Sequence, residues 1–504
     1  MHRHLPWNRI GLIAGLTAFG LILLFYHPVP DRPEVGVMAA IAALMAIYWM
    51  TEAIPLPATA LIPVVALPLG GIVESSVIAK SYINSIIFLF IGGFLIALSM
   101  ERWNLHRRIA LAIIYRIGRR ADLLVLGFMA ASGFLSMWIS NTATAVMMLP
   151  IGLAIISKME EEFGKEKTHA LALALMLGIA YSCSIGGVAT LVGTPTNLAF
   201  ARIFQESFPE APPMSFSQWM ILGLPFSFIM MGITWLLLTK VLCRFDKSMT
   251  LDRSIIKREI DDLGTITYEE RVVLAVFAVT VFLWTFRQDL HLGNITLPGW
   301  ASLWRGFGRV DDGTVAIASS LVLFLVPAGK DSGQRRILEG DTFARLPWGI
   351  IVLFGGGFAL ASGFGESGLS RHIGESFLAI GPIPIMILVA VICLSVTFLT
   401  ELTSNVATLS MLLPILAGWA VSIHVHPLIF AIPATISASM AFMMPVATPP
   451  NAVVFSSQRI RIAEMARTGL ILNFVALLVT LVVVSLLFPL VAGNPIDAFP
   501  AWAR

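Results

Sequence analysis

The sequence predicts an all-α, polytopic membrane protein of about 11 transmembrane helices plus two re-entrant hairpins, laid out as two inverted-topology repeats. Three observations carry that prediction. The first is composition: of 504 residues, 57% are hydrophobic and 12% are charged. A soluble domain carries about 25% charged residues, so this chain cannot cover itself with a hydrated surface. Roughly 20 apolar residues cross a bilayer as a helix, and hydrocarbon leaves no backbone group unpaired, which makes the spans helical. The second is internal repetition. "SMWISNTATAVMMLP" (Ser136–Pro150) matches "TELTSNVATLSMLLP" (Thr400–Pro414) at seven of fifteen positions, 264 residues apart. "IIFLFIGGFL" (Ile86–Leu95) matches "IIVLFGGGFA" (Ile350–Ala359) at seven of ten, at the same offset. "LVGTPTNLAF" (Leu191–Phe200) echoes "PVATPPNAVVF" (Pro445–Phe455) at an offset of 254, so the second copy has lost ten residues. The third is the placement of charge. Met1–Arg9, Arg102–Arg120, Lys158–Lys167, Lys240–Arg271, Lys330–Arg345 and Arg459–Arg467 hold 25 of the 33 Lys and Arg. Placing those segments in the cytoplasm obeys the positive-inside rule.

Along the chain, spans are expected near residues 10–29, 35–52, 58–73, 82–100, 168–204, 219–242, 270–288, 312–328, 347–366, 427–458 and 467–492. Ile10–Tyr26 follows Arg3 and Arg9 but lacks a small-residue cleavage site, so it reads as the first span and not a signal peptide. An odd number of crossings between equivalent elements turns the second copy upside down. The N-terminus then lies in the cytoplasm and the C-terminus outside. Residues 121–156 and 381–421 are each long enough for two short helices, with a Ser-Asn cluster near the middle. A span broken there exposes backbone, which only protein or water can cover. Re-entrant hairpins meet that demand, the first entering from the cytoplasm and the second from outside. Glu101–Arg120, basic and amphipathic, is expected to lie on the cytoplasmic surface. The three cysteines, Cys183, Cys243 and Cys393, have neither disulfide nor metal-site spacing.

Chemistry concentrates at the tips and at the third repeated block. Gly193-Thr194-Pro195-Thr196-Asn197 and Ala447-Thr448-Pro449-Pro450-Asn451 sit midway along spans. Proline removes a backbone donor and disfavours helix just before it, so each span should unwind there. Unwinding frees carbonyl oxygens for a cation and N–H groups for an anion, and half-helix N-termini favour negative charge. Ser hydroxyls, Asn carbonyls and backbone C=O are hard oxygen ligands suited to an alkali ion; Asn amides and Thr hydroxyls donate to an anion. Taken singly, a Ser-Asn-Thr run is ordinary helix-packing glue and a mid-helix proline is a kink. Recurrence of both at matched places in both halves points instead to a transporter's binding site. Glu401 has Met137 as its repeat equivalent and reads as a hydrogen-bonding group at the hairpin neck, with a proton or cation ligand as the alternative. Glu52 reads as an interfacial cap, and the nine histidines have no metal-ligand spacing.

The paired Ser-Asn motifs, "YWMTEAIPLPATALIP" (Tyr48–Pro63) and the two Thr-Pro-x-Asn breaks resemble the divalent anion/sodium symporter family, over residues 35 to 492. The resemblance implies homodimers with a scaffold domain and a mobile transport domain working as an elevator. It also implies sodium-coupled transport of dicarboxylates, citrate or sulfate across the bacterial inner (plasma) membrane. On that pattern residues 1–81 are N-terminal scaffold helices, and 82–242 form the first repeat core, with a hairpin (121–156) and a broken helix (168–204). Residues 243–269 are a cytoplasmic linker, and 270–346 are second-repeat scaffold helices. Residues 347–504 form the second core, with hairpin (381–421), broken helix (427–458) and last helix. The resemblance places one sodium on Ser136, Ser140, Asn141 and the Gly193 carbonyl. It places another on Thr400, Thr403, Ser404, Asn405 and the Ala447 carbonyl. Asn141, Thr142, Asn405, Val406, Thr448 and Pro449 would face the substrate. Val406 departs from the motif, which often has Thr there, and removes one hydroxyl from the cradle. No Lys or Arg falls in a tip or break to replace the bound cations, which favours symport over exchange.

The expected function is sodium-coupled symport of a small C4-dicarboxylate such as succinate, malate or fumarate. Sulfate or citrate symport, or exchange, is the alternative within the family. Expected partners are the anion, co-transported sodium, membrane lipid and a second copy of the chain; nucleic acid is not one. A membrane-embedded enzyme would need convergent acids, bases, thiols or metal ligands, which the motifs do not provide. A channel accommodates broken helices but gives no reason for paired hairpins.

Overall fold

A computed structural model describes residues 7–118, 120–243, 249, 254–292, 295–303, 306–377, 383–496 and 498–503. Parts of the basic N-terminus, of the 243–269 linker and of the start of the second hairpin lie outside the described residues.

In the first half α1 (Trp7–Phe25) and α2 (Pro33–Thr51) pack on each other. α2 stops at Glu52, which adopts the left-handed conformation (φ 47°) and returns its N–H to the Tyr48 carbonyl. The span expected at 58–73 is instead two short helices, α3 (Leu56–Thr59) and α4 (Ile62–Leu69). Each carries a proline in its first turn, where a missing N–H is harmless, so each proline starts a new helix and the span is interrupted between them. α5 (Ser75–Tyr82) and α6 (Ser85–Arg102) follow. They are separated because the Asn84 side chain caps α6, accepting from Ile86 N (3.1 Å) and Ile87 N (3.3 Å). α7 (Leu105–Ile117) falls within the stretch expected to be amphipathic and buries Leu105, Ala110, Leu111 and Ile114. α8 (Ala121–Ser136) and α9 (Asn141–Phe163) are the arms of the first hairpin. The second arm runs past the expected end at 156 because Lys158–Phe163 adds charged helix formers. α10 (Lys165–Val188) and α11 (Pro195–Ser207) form the first interrupted span, and α12 (Phe216–Leu236) closes the half.

The linker contains α13 (Ser254–Asp262). α14 (Tyr268–Thr285) starts from a capping box between Thr267 and Glu270. A two-stranded antiparallel hairpin, Leu290–Leu292 against Ile295–Leu297, precedes α15 (Asp312–Leu325). α16 (Trp348–Ser367) leads through Gly368, at φ +81°, into α17 (Leu369–Phe377), a short helix the sequence reading did not anticipate. α18 (Ile385–Thr400) and α19 (Asn405–Ser422) are the arms of the second hairpin. α20 (Leu428–Ala438) and α21 (Pro449–Phe455) make the second interrupted span, and α22 (Ile462–Ala492) ends the helical part.

Among the described residues nine helices are long and apolar enough to cross a membrane. The remaining expected spans are divided into shorter helices or, like α14, carry acids in their first turn. The centre of the molecule is α10, 94% of whose most apolar window is buried, whereas α1 buries 11% of its own. The two repeats interlock. α6 packs on α15 of the other half, and α16 packs on α3, α4 and α5. The approach is set by equivalent glycines, Gly92 and Gly356. A Cβ on Gly92 would come within 2.5 Å of the Ala316 backbone, and one on Gly356 within 2.5 Å of the Ala60 carbonyl. Only glycine lets these helices touch.

Candidate functional site

Each hairpin tip is a four-residue turn closed by a serine. Ser140 caps α9, its hydroxyl accepting from Ala143 N at 3.1 Å. Ser404 caps α19 in the same way, from Ala407 N at 3.5 Å. Serine is a favoured N-cap because its short hydroxyl satisfies an orphan N–H of the first turn. It also hands the next residue, Asn141 or Asn405, to the helix start.

The breaks are held open by their asparagines. Asn197 Nδ2 donates to the carbonyls of Thr190 (2.7 Å), Gly187 and Val188 (3.3 Å each). Its repeat equivalent, Asn451, donates to Ala441 O and Met444 O, both at 3.1 Å. Both asparagines are fully buried, and both leave Oδ1 without a partner. The breaks touch through the Thr196 and Ser439 hydroxyls, 2.7 Å apart. Thr190 Oγ1 donates to Met137 O at 2.6 Å and so ties the first break to the first tip. Cross-packing completes the arrangement: α11 lies on α19, and α21 lies on α9 and α10. Each broken span therefore rests on the hairpin of the other repeat. α9, α11 and α19 begin at Asn141, Pro195 and Asn405, so their positive dipole ends belong to the tips and breaks.

At the first tip the end of the Asn141 amide lies 2.5 Å from Ser136 Oγ, 3.2 Å from Cys183 O and 3.3 Å from Gly193 O. With its nitrogen turned that way, the amide donates to all three. With its oxygen there, it accepts from the Ser136 hydroxyl and faces the Cys183 and Gly193 carbonyls, a cluster of acceptors that a cation would stabilise. Gly193 is required in this ring of oxygens. A Cβ on it would stand 2.5 Å from Gly187 O and 3.0 Å from the carbonyls of both Met137 and Ser136. The residues present fit a hard alkali ion.

The second tip is built differently. Thr400 Oγ1 donates to Thr397 O (3.0 Å), and Thr403 Oγ1 lies 2.7 Å from Leu399 O and 2.6 Å from Thr408 Oγ1. Their protons are satisfied locally, which leaves oxygen lone pairs as acceptors. Asn405 Oδ1 is buried with no partner. Of the residues expected to face the substrate, Thr142 and Pro449 are exposed, Asn141 and Asn405 half-buried, and Val406 and Thr448 buried; Ala447, expected at a sodium, is buried too.

Glu401 departs from its expected place. It does not bond within the hairpin neck but caps the second break. Its carboxylate accepts from Phe442 N (2.8 Å), Met443 N (3.0 and 3.1 Å) and Met444 N (3.0 Å), and from Asn473 Nδ2 of α22 (2.8 Å). Every partner is a donor, which suits a carboxylate, an acceptor-only group. Tyr181 of α10 fixes the same segment from the other side, donating to Phe442 O at 3.0 Å. The sequence reading missed Asn197 and Asn451 as organisers, although both end the repeated Thr-Pro-x-Asn blocks. It also missed Cys183, which enters only through its backbone carbonyl.

Two inverted halves whose broken spans rest on each other's hairpins make this a membrane transporter in class: the tips and breaks offer ligand oxygens and dipoles that can hold a solute and let it go. The profile described as the sodium:sulfate symporter transmembrane region matches residues 7–493. Relatives include the sodium-dependent dicarboxylate transporter SdcS of Staphylococcus aureus strains MRSA252 and NCTC 8325. Each is 43% identical over 494 residues, covering 97% of this chain and 92% of theirs. Among solved structures the Alcanivorax borkumensis YdaH transporter aligns with a TM-score of 0.55 at 12% identity, over 83% of this chain and 87% of its own. Neisseria gonorrhoeae MtrF, from a class of antimetabolite efflux pumps, aligns with a TM-score of 0.55 at 13% identity, over 95% and 96%. These two likenesses concern the fold. The chain belongs to the sodium:sulfate symporter family and is a multi-pass membrane transporter, not an enzyme.

Proposed function

We propose that this protein couples inward sodium movement to uptake of a C4-dicarboxylate such as succinate, malate or fumarate across a bacterial plasma membrane. The observation that supports the sodium half is the convergence of Ser136 Oγ, Cys183 O and Gly193 O on the end of the Asn141 side chain. The dicarboxylate half is supported by the SdcS relatives and by three helix N-termini at the tips and breaks, which offset an anion without a fixed cation. One sodium lies on Ser136, Ser140, Asn141 and Gly193 O. A second lies on Thr400, Thr403, Ser404, Asn405 and Ala447 O. The dianion lies between, touching Asn141, Thr142, Asn405, Thr448 and Pro449, with Val406 supplying only an apolar wall.

Alternating access follows from an asymmetry between the repeats. Trp138 at the first tip stacks on Phe216 and meets Phe277 edge-on. With Val192 it closes a small void against α6 and α14. The repeat equivalents, Leu402 and Val446, are 69% and 73% exposed. One repeat is docked and the other open, as expected of one end-state of an elevator whose transport part comprises the hairpins and broken spans. Residues 1–81 and 270–346 supply the scaffold. The N-terminus is cytoplasmic, the C-terminus is outside, lipid surrounds α1, and the working unit is a homodimer.

Competition for labelled succinate uptake in proteoliposomes tests the substrate. Malate and fumarate should compete strongly, citrate and sulfate weakly. Stronger competition by sulfate than by malate would assign the site to the inorganic anion.

A further inference from the structure

On the outer side of that topology lies a cavity of about 560 Å³ between the start of α2, the α16–α17 turn, α19 and the end of α11. Its size is ordinary for a small-molecule site, and two arginines, Arg32 and Arg371, line it. Basic residues are scarce on this side, and those nearest the core are already neutralised: Arg202 pairs with Glu206, and Arg287 with Asp312 at 2.5 Å. Arg32 gives one hydrogen bond to a neutral group, the Glu366 carbonyl (3.0 Å). Neither Arg32 nor Arg371 has a carboxylate within ion-pair distance among the described residues. The Arg32 guanidinium lies against Gly368, where a Cβ would come 2.7 Å from Nη1. Gly368 opens α17, and Arg371 stands in the first turn of that helix. Two cationic heads thus flank one helix N-terminal turn, which adds partial positive charge of its own. Ser370 and Ser422 add hydroxyls, and Glu210 is the one acid of the lining. Of the α19 residues that line it, Pro414 is the nearest in sequence to the second tip, nine residues beyond Asn405, or about 13 Å along the helix axis.

We propose that this cavity is an antechamber that holds the transported dianion between Arg32 and Arg371 at the outer mouth, before it reaches the hairpin tips. The inference rests on the dicarboxylate reading above. Two positive heads in a concave surface concentrate a small dianion by Coulomb attraction, and salt screens that attraction.

The test is succinate uptake from outside by intact cells expressing the full chain, at fixed saturating sodium, for R371Q and for R32Q/R371Q. The double variant should raise KM about tenfold, R371Q less, with the maximum rate within about twofold of the parent. The gap should close as choline chloride raises the ionic strength, and R32K/R371K should restore KM. R371Q removes an exposed, unpaired side chain, so it keeps the test open if the double variant folds poorly. Unchanged KM in R371Q and the double variant overturns the proposal. So does a KM rise that high salt leaves intact, which marks a packing effect. A gap seen in proteoliposomes only when phosphatidylglycerol is added to phosphatidylcholine assigns the cavity to a lipid headgroup and overturns it too. If the parent chain takes up no dicarboxylate, the functional reading fails and this proposal falls with it. Parent uptake with unaltered variants sinks the antechamber alone.

Discussion

Asn141→Ala and Asn405→Ala should each reduce sodium-driven uptake at least about 100-fold while leaving a folded, monodisperse protein. The terminal atom of the Asn141 side chain meets Ser136 Oγ, Cys183 O and Gly193 O together. In the proposed site, removing it strips a ligand from the cation and leaves the carbonyls facing each other across a small void. A contact to a charged group is worth about 1.5–3 kcal/mol, and 1.4 kcal/mol is a factor of ten. Loss at both a sodium and the substrate therefore reaches about two decades. Asn405 holds the matching place, and its buried Oδ1 has no protein partner to lose. Its truncation should therefore cost transport far more than stability. Uptake rates normalised to purified protein, with size-exclusion profiles, check both. Near-parental uptake in either variant would reduce that tip to packing.

The second large effect falls on stability. Glu401→Ala should unfold the second break, because it strands the buried Phe442 N–H and Asn473 amide and the half-buried N–H groups of Met443 and Met444. A buried unpaired donor costs about 1–3 kcal/mol, so losing two buried donors and two half-buried ones at once takes a large share of a fold's margin of about 5–15 kcal/mol. Thermal unfolding in detergent should show a markedly lowered Tm, or no folded protein. Glu401→Gln should fall between, since one oxygen is kept but an NH₂ now faces backbone N–H groups. Glu401→Ala with a parental Tm would show that the break does not depend on this carboxylate. Glu401 ties tip, break and α22 together, so the destabilised variants should also lose transport.

Much of this was legible in the chain. Ser140 and Ser404 close the tips, and Pro195 and Pro449 restart the broken spans, because caps and prolines act within a turn or two of themselves. Repetition in a second copy separates such signals from chance. What depended on distant packing was not legible. Glu401 has no counterpart, and its partners Phe442–Met444 and Asn473 lie 41 to 72 residues away. Cys183 contributes a carbonyl, which every residue possesses, so nothing in its identity announces it. The single helix expected at 58–73 is two, because Pro57 and Pro63 each start a helix anew, and mean hydropathy carries no trace of that. α17 is too short to give a span-length signal, yet it frames the outer cavity. Asn197 and Asn451 were visible as repeated letters. Their role as clamps on three and two carbonyls appears only when the break is folded around them.

Coupling in the proposed mechanism depends on sodium being the ion held among the oxygens at the tips. The purified protein in proteoliposomes, given labelled succinate with either an inward sodium gradient or an equal potassium gradient, tests this most directly. Succinate should accumulate transiently above its equilibrium level with sodium, and the overshoot should vanish when a sodium ionophore collapses the gradient. Equal uptake in potassium, or an overshoot that survives the ionophore, would contradict the account.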